Sequence, residues 1–179
     1  MTADSADPVI ASARVLVAYV GEEDGSDPVT RAAVDAARGG ARLILYDRDA
    51  ASFLSDPLPN QWASQGEGEL YGDPLSDAEL VKLGREELAR KVAAARAEGV
   101  DAWGALPRKH GMDELVDYAR DHAADLLLLP ADLDDPSMAD RLKGETAGDA
   151  VDAAEETDRG IAVLLVNPDG STRLLAGRL

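Results

Sequence analysis

Four short runs of this chain are apolar with almost no alternation: Val15 to Val20, Leu43 to Tyr46, Leu126 to Leu129 and Ile161 to Val166. A strand with one solvated face alternates apolar and polar residues. A continuous apolar run suits a strand covered on both faces, which is the condition of a parallel sheet. Parallel strands need crossovers, and the intervening stretches carry helical spacing. Val29, Ala32, Ala33, Ala36 and Ala37 follow the pair Asp27-Pro28 and stop at Gly39-Gly40. Ser76-Asp77-Ala78-Glu79 forms a capping box, and the spacing predicts one helix from there to about Glu98, with Leu80, Leu83, Leu88, Val92 and Ala95 inward. Met112, Leu115, Val116, Ala119 and Ala123 mark a further helix, and Thr146 to Thr157 another. Val100 to Leu106 alternates weakly and reads as an edge strand. The expected fold is α/β, a doubly wound five-stranded parallel sheet with right-handed crossovers.

Around this domain, spanning residues 14–167, residues 1–13 read as a mobile acidic tail and residues 168–179 as a C-terminal tail or edge strand. Between the second strand and the capping box lies a long segment, about Asp47 to Leu75, rich in Pro and Gly. It holds Phe53, Trp62 and Tyr71 and reads as an irregular stretch pinned to the domain by its aromatics.

Composition narrows the functions open to such a fold. The net charge is −17, from 18 basic and 35 acidic residues. That field repels phosphate backbones and anionic lipid surfaces, so neither nucleic acid nor membrane is an expected partner. There are no cysteines, which removes disulfides, thiolate nucleophiles and thiolate metal sites. Residues 1–13 lack the basic segment of a secretory signal, and no apolar run approaches a membrane span. The expectation is a cytoplasmic protein.

Doubly wound sheets bind ligands beyond the carboxyl ends of their strands. The loops there begin at Val20, Asp47, Leu106, Pro130 and Asn167. The first, Gly21 to Asp27, and the fourth, Pro130 to Pro136, are acidic, which disfavours a pyrophosphate. They read as solvated edges, with no metal expected. Arg108-Lys109-His110 in the third loop is the one basic cluster, and Arg108 and Lys109 are the expected contacts of any anion. His122 reads as a partner of its helix's C-terminal dipole. A phosphate-receiver site would need Asp after the third strand and Lys after the fifth, where Leu106-Pro107 and Asn167-Pro168 stand instead. No serine sits on a nucleophile elbow with a histidine partner. No catalytic residue is expected.

Gly99-Val100, Asp113 to Ala119 and Ala124-Asp125 to Leu129 together resemble the third strand, the following helix and the fourth strand of the universal stress protein family. The first strand, the alanine-rich helix, the long segment after the second strand and the fifth strand fall in matching order. The resemblance implies a Rossmann-like sheet of order 3-2-1-4-5, of the adenine nucleotide alpha hydrolase-like kind. It also implies a part in stress response and a homodimer seamed through the fifth strand. That strand would lie at the sheet edge without charge or Pro. A competing expectation is that the turn Asn167-Pro168-Asp169-Gly170 folds Ser171 to Leu175 back as an antiparallel cap.

Nucleotide-binding members of the family carry G-x2-G-x9-G-[S/T] after the fourth strand. Placing the third glycine at Gly144 sets Ala131 and Asp134 where the first two belong, with Thr146 displaced by one position. Placing the pattern on the strand end sets Pro130 and Leu133 there. The family's acidic residue after the first strand aligns with Val20, and Tyr46 and Asp47 take the equivalent place on the second. With two of three glycines absent, the expected protein holds no ATP and acts by binding, including association with a regulatory protein. The alternative is an ATP- or AMP-binding protein with a non-standard phosphate loop.

Overall fold

The computed structural model describes residues 7–21, 27–48, 72–108, 111–134, 147–155 and 160–176. The strands are β1 (Val15–Val20), β2 (Arg42–Asp47), β3 (Asp101–Ala105), β4 (Leu126–Pro130), β5 (Ala162–Val166) and β6 (Thr172–Ala176). They form one sheet of order β3-β2-β1-β4-β5-β6, parallel except for β6. The helices are α1 (Asp7–Ser12), α2 (Asp27–Ala37), α3 (Asp77–Lys82), α4 (Glu86–Ala97), α5 (Met112–Asp121) and α6 (Ala147–Glu155). Leu16, Ala18, Leu43, Leu45, Leu126, Leu128 and Leu164 point to one face, beneath α2, α3 and α4. Val17, Ile44, Leu127, Leu129, Val163 and Leu165 point to the other, beneath α5 and α6. Each apolar run therefore feeds two cores, which is why it does not alternate.

Asp125 gathers the central strands at their amino ends. Its carboxylate accepts the Arg14 N–H (2.7 Å) and the Val15 N–H (3.2 Å). Its own N–H donates to Val15 O, and its carbonyl accepts from Ala162 N. One residue thus fixes the relative registers of β1, β4 and β5.

The structure departs from the expected fold in three places. First, the sheet has six strands, not five, because β6 pairs antiparallel with β5, as the competing expectation of a C-terminal cap has it. The turn between them is well satisfied: Asn167 N–H donates to Ser171 O, and the Asp169 carboxylate accepts from Ser171 N and Oγ. These bonds hold Asp169 below the ordinary carboxylate range. Paired with β4 on one side and β6 on the other, β5 is not the sheet edge, so the seam expected for a homodimer is covered by the chain's own next strand.

Second, the stretch expected as one helix from Ser76 is two. The capping box forms, with Glu79 accepting from Ser76 N (2.8 Å) and Oγ (2.7 Å). The helix then stops at Gly84, which takes φ +73. Gly84 N–H bonds Val81 O and Arg85 N–H bonds Leu80 O, the paired bonds of a Schellman ending. Third, the expected acidic tail is helical over Asp7–Ser12, and Val9 and Ile10 pack against the core.

Helix α5 ends in the same bond pattern without a glycine. Ala123 takes φ 55, with Ala123 N–H to Arg120 O and Ala124 N–H to Ala119 O. A left-handed alanine costs roughly 1 kcal/mol that glycine does not. Ala123→Gly is expected to raise stability by about 0.5–1 kcal/mol, read from the urea midpoint. Gly104→Ala is expected to lower it by about 1–3 kcal/mol in the same assay, because the added Cβ would sit 2.5 Å from Leu80 Cδ1. Removing residues 168–179 bares β5, and light scattering is expected to report association absent from the intact chain.

Candidate functional site

The carboxyl ends of β1 and β2 lie side by side, with Val20 in register with Asp47. Both side chains are buried. Asp47 meets Arg85, whose Nε donates to its Oδ2 at 2.8 Å and whose second guanidinium nitrogen reaches the same oxygen. The break after α3 makes this pair, since it brings Arg85 to the head of α4 with its side chain under the sheet's edge. A buried carboxylate is stable only when matched, and here the match is internal.

On the opposite face, Tyr46 belongs to a row of rings. Its centroid lies 6.1 Å from Tyr19 and 5.1 Å from Tyr118, and Tyr118 stacks on His122 at 4.1 Å. Among the described residues, the buried Tyr118 hydroxyl has no hydrogen-bond partner. Burial drives the phenol's pKa well above its usual value, and the charge of Asp73 adds to the effect. His122 closes α5 with its Nδ1 2.9 Å from Tyr118 O, in the C-terminal position the sequence suggests.

Beyond β4 the chain makes a 3-10 turn, Ala131–Asp134. Ala131 is half-buried against the α5–α6 core, Asp132 is exposed, and Leu133 is buried. Leu133 therefore fills the space under the turn with an apolar side chain. Arg108 is exposed and lies over Gly72, whose added Cβ would come 2.6 Å from its Nε. Gly72 N–H in turn bonds Leu106 O.

The structure thus brings Val20, Tyr46 and Asp47 to one edge, in the interior, with Ala131 and Asp134 on the turn after β4. Lys109, Gly144 and Thr146 lie outside the described residues, as do His110, residues 22–26 and residues 49–71. Sequence reasoning missed Arg85 and the ring row. Arg85 had a signal, since it falls on the inward stripe with Leu88, Val92 and Ala95. Tyr46 is a site position only by the family resemblance, and nothing in the sequence groups it with Tyr19 and Tyr118.

Away from the strand ends, a groove of about 260 Å³ runs between α2 and α4. Arg31, Arg38, Arg90 and Lys91 line it beside Asp27, Asp35 and Glu98. Arg38 bridges Asp35 and Glu98, and the buried Lys91 ammonium donates to Gly21 O at 2.9 Å. Its charges largely match one another. Among the described residues, no three His, Asp or Glu side chains stand together as a metal site. No described helix is long and apolar enough to cross a membrane.

Several solved structures match this chain, two of them as follows. One is a universal stress protein in complex with cAMP, 22% identical, with a TM-score of 0.48, covering 87% of this chain and 98% of that one. The other is a protein from the universal stress protein family of Burkholderia pseudomallei, 20% identical, with a TM-score of 0.40, covering 73% and 87%. Likenesses of this size carry no argument about a site, and the fold stands on the strand order and registers given above. No protein-family model and no curated protein matches the sequence.

The Asp47–Arg85 pair makes a sharp prediction. Asp47→Asn or Arg85→Met alone is expected to cost about 3–5 kcal/mol, by leaving one group buried and unmatched. Asp47→Leu with Arg85→Met together is expected to recover most of that loss in urea unfolding.

Proposed function

We propose that this chain is a universal-stress-like, cytoplasmic, non-enzymatic protein that acts by association with other proteins and does not hold ATP. The observation that carries the reading is the internal match at the ligand edge: Asp47 is buried against Arg85 rather than presented to a ligand. The turn after β4 adds to it. A phosphate cradle needs glycines whose backbone N–H groups approach the oxygens closely. Here Ala131, Asp132 and Asp134 occupy that turn, and Leu133 fills the space beneath it. Like charge beside a triphosphate is unfavourable, more so at the low dielectric of a partly enclosed edge.

The contrasting reading, a nucleotide site served by Arg108 and Lys109, predicts the opposite result in one experiment. Calorimetric titration with Mg-ATP, AMP and cAMP at low salt is expected to give dissociation constants weaker than about 1 mM. A low-micromolar constant that disappears in the Arg108→Ala, Lys109→Ala double variant would establish the nucleotide site instead.

A further inference from the structure

The two edges of the sheet are treated differently. On β3, the outward backbone groups are occupied. Gly104 exchanges N–H and C=O bonds with Leu75 (2.7 and 2.8 Å), Ala102 O accepts from Arg96 Nε (2.7 Å), and Ala102 N–H bonds Val100 O (2.9 Å). Arg96 also lies over the Trp103 ring, with its guanidinium carbon 4.8 Å from the centroid, and pairs with Asp77. That edge is sealed against added strands.

β6 has no such cover among the described residues. Ser171 is bonded to Asn167 across the hairpin, so by antiparallel alternation Arg173 faces β5 while Thr172 and Leu174 turn their N–H and C=O groups outward. The outer strand has no Pro, and its leucines 174 and 175 are half-buried, one against each core.

We propose that the β6 edge is a docking site for an extended, cationic segment of a partner protein, added as a seventh strand. This rests on the reading of the chain as an association protein and names its surface. Charge selects the occupant. The chain carries −17, and Asp152 stands exposed on α6, the helix packed beside β6, with Asp169 exposed in the turn and Arg173 the one base on the strand itself. A basic strand is drawn to that field, whereas a second copy is repelled by it. A seam of one five-residue strand is also small for a stable dimer, which buries about 1,200–2,000 Å². For a peptide gaining main-chain bonds along the edge, five residues suffice.

The test uses the full chain and a capped peptide, Lys-Thr-Lys-Val-Lys-Thr-Lys, followed by amide exchange in NMR. Binding is expected to slow exchange at Thr172 and Leu174 and to weaken with salt. The same peptide N-methylated at alternate residues keeps its charge but loses its donors, and is expected to bind at least tenfold more weakly. Thr172→Pro, which deletes an outward donor at a position where an edge strand accepts proline, is expected to have a similar effect. Equal binding of the N-methylated peptide, protection away from β6, or no binding at millimolar peptide would overturn the proposal. So would self-association of the chain that protects the same amides and strengthens with salt. These failures leave the nucleotide titrations silent, so they are distinct from failure of the functional reading.

Discussion

A sheet buried on both faces has its backbone groups satisfied everywhere except along two lines, its first and last strands. Every other choice in this molecule is arranged around that constraint. The apolar runs of β1, β2, β4 and β5 are possible only because helices cover both sides, and the helices find their places only because the crossovers return each strand parallel to the last. With the faces committed to packing, the sheet itself is open only at the ends of its strands and along its edges. One edge is closed by Leu75 and Arg96, and the other is formed by a strand that the chain itself supplies.

The carboxyl ends of β1 and β2 are committed as well. Asp47 sits where an open α/β sheet would receive a ligand, yet its charge is spent on Arg85. Lys91 similarly ties the end of β1 to α4 through Gly21 O. Contacts of this kind tie down the ends of β1 and β2 and engage the buried charges there with the chain itself. The Tyr118 hydroxyl, without a hydrogen-bond partner among the described residues, lies buried among rings.

Much of the fold was legible because its signals are local and repeated. Continuous apolar runs, a capping box and 3–4 spacing specify buried strands and helices without reference to anything distant. What escaped depended on distance or on a single residue. The antiparallel return after Asn167-Pro168-Asp169-Gly170 was legible only as an alternative to a dimer seam, and the pairing of Thr172 to Ala176 with β5 decides for it. Gly84 stands within an otherwise unbroken helical pattern, so its role as a stop follows from Arg85 reaching Asp47, 38 residues earlier in the chain. The acids before Val9 and Ile10 masked a short helix that needs the core to hold it. Of the candidate site, the strand ends were placed well, while the internal matching of their charges was not, because sequence shows a charge but not its partner.

The late arrival of β5 has a consequence for how the chain is made. β4, the most leucine-rich strand, leaves the ribosome roughly 30 residues before β5, a delay of a few seconds at ordinary synthesis rates. Through that interval β1 to β4 can already pair, while Leu126 to Leu129 keep one side bare. The Asp125 carbonyl, which later accepts Ala162 N–H, stays wet for the same time. The nascent protein therefore carries an open seam on β4 until β5 is there to cover it.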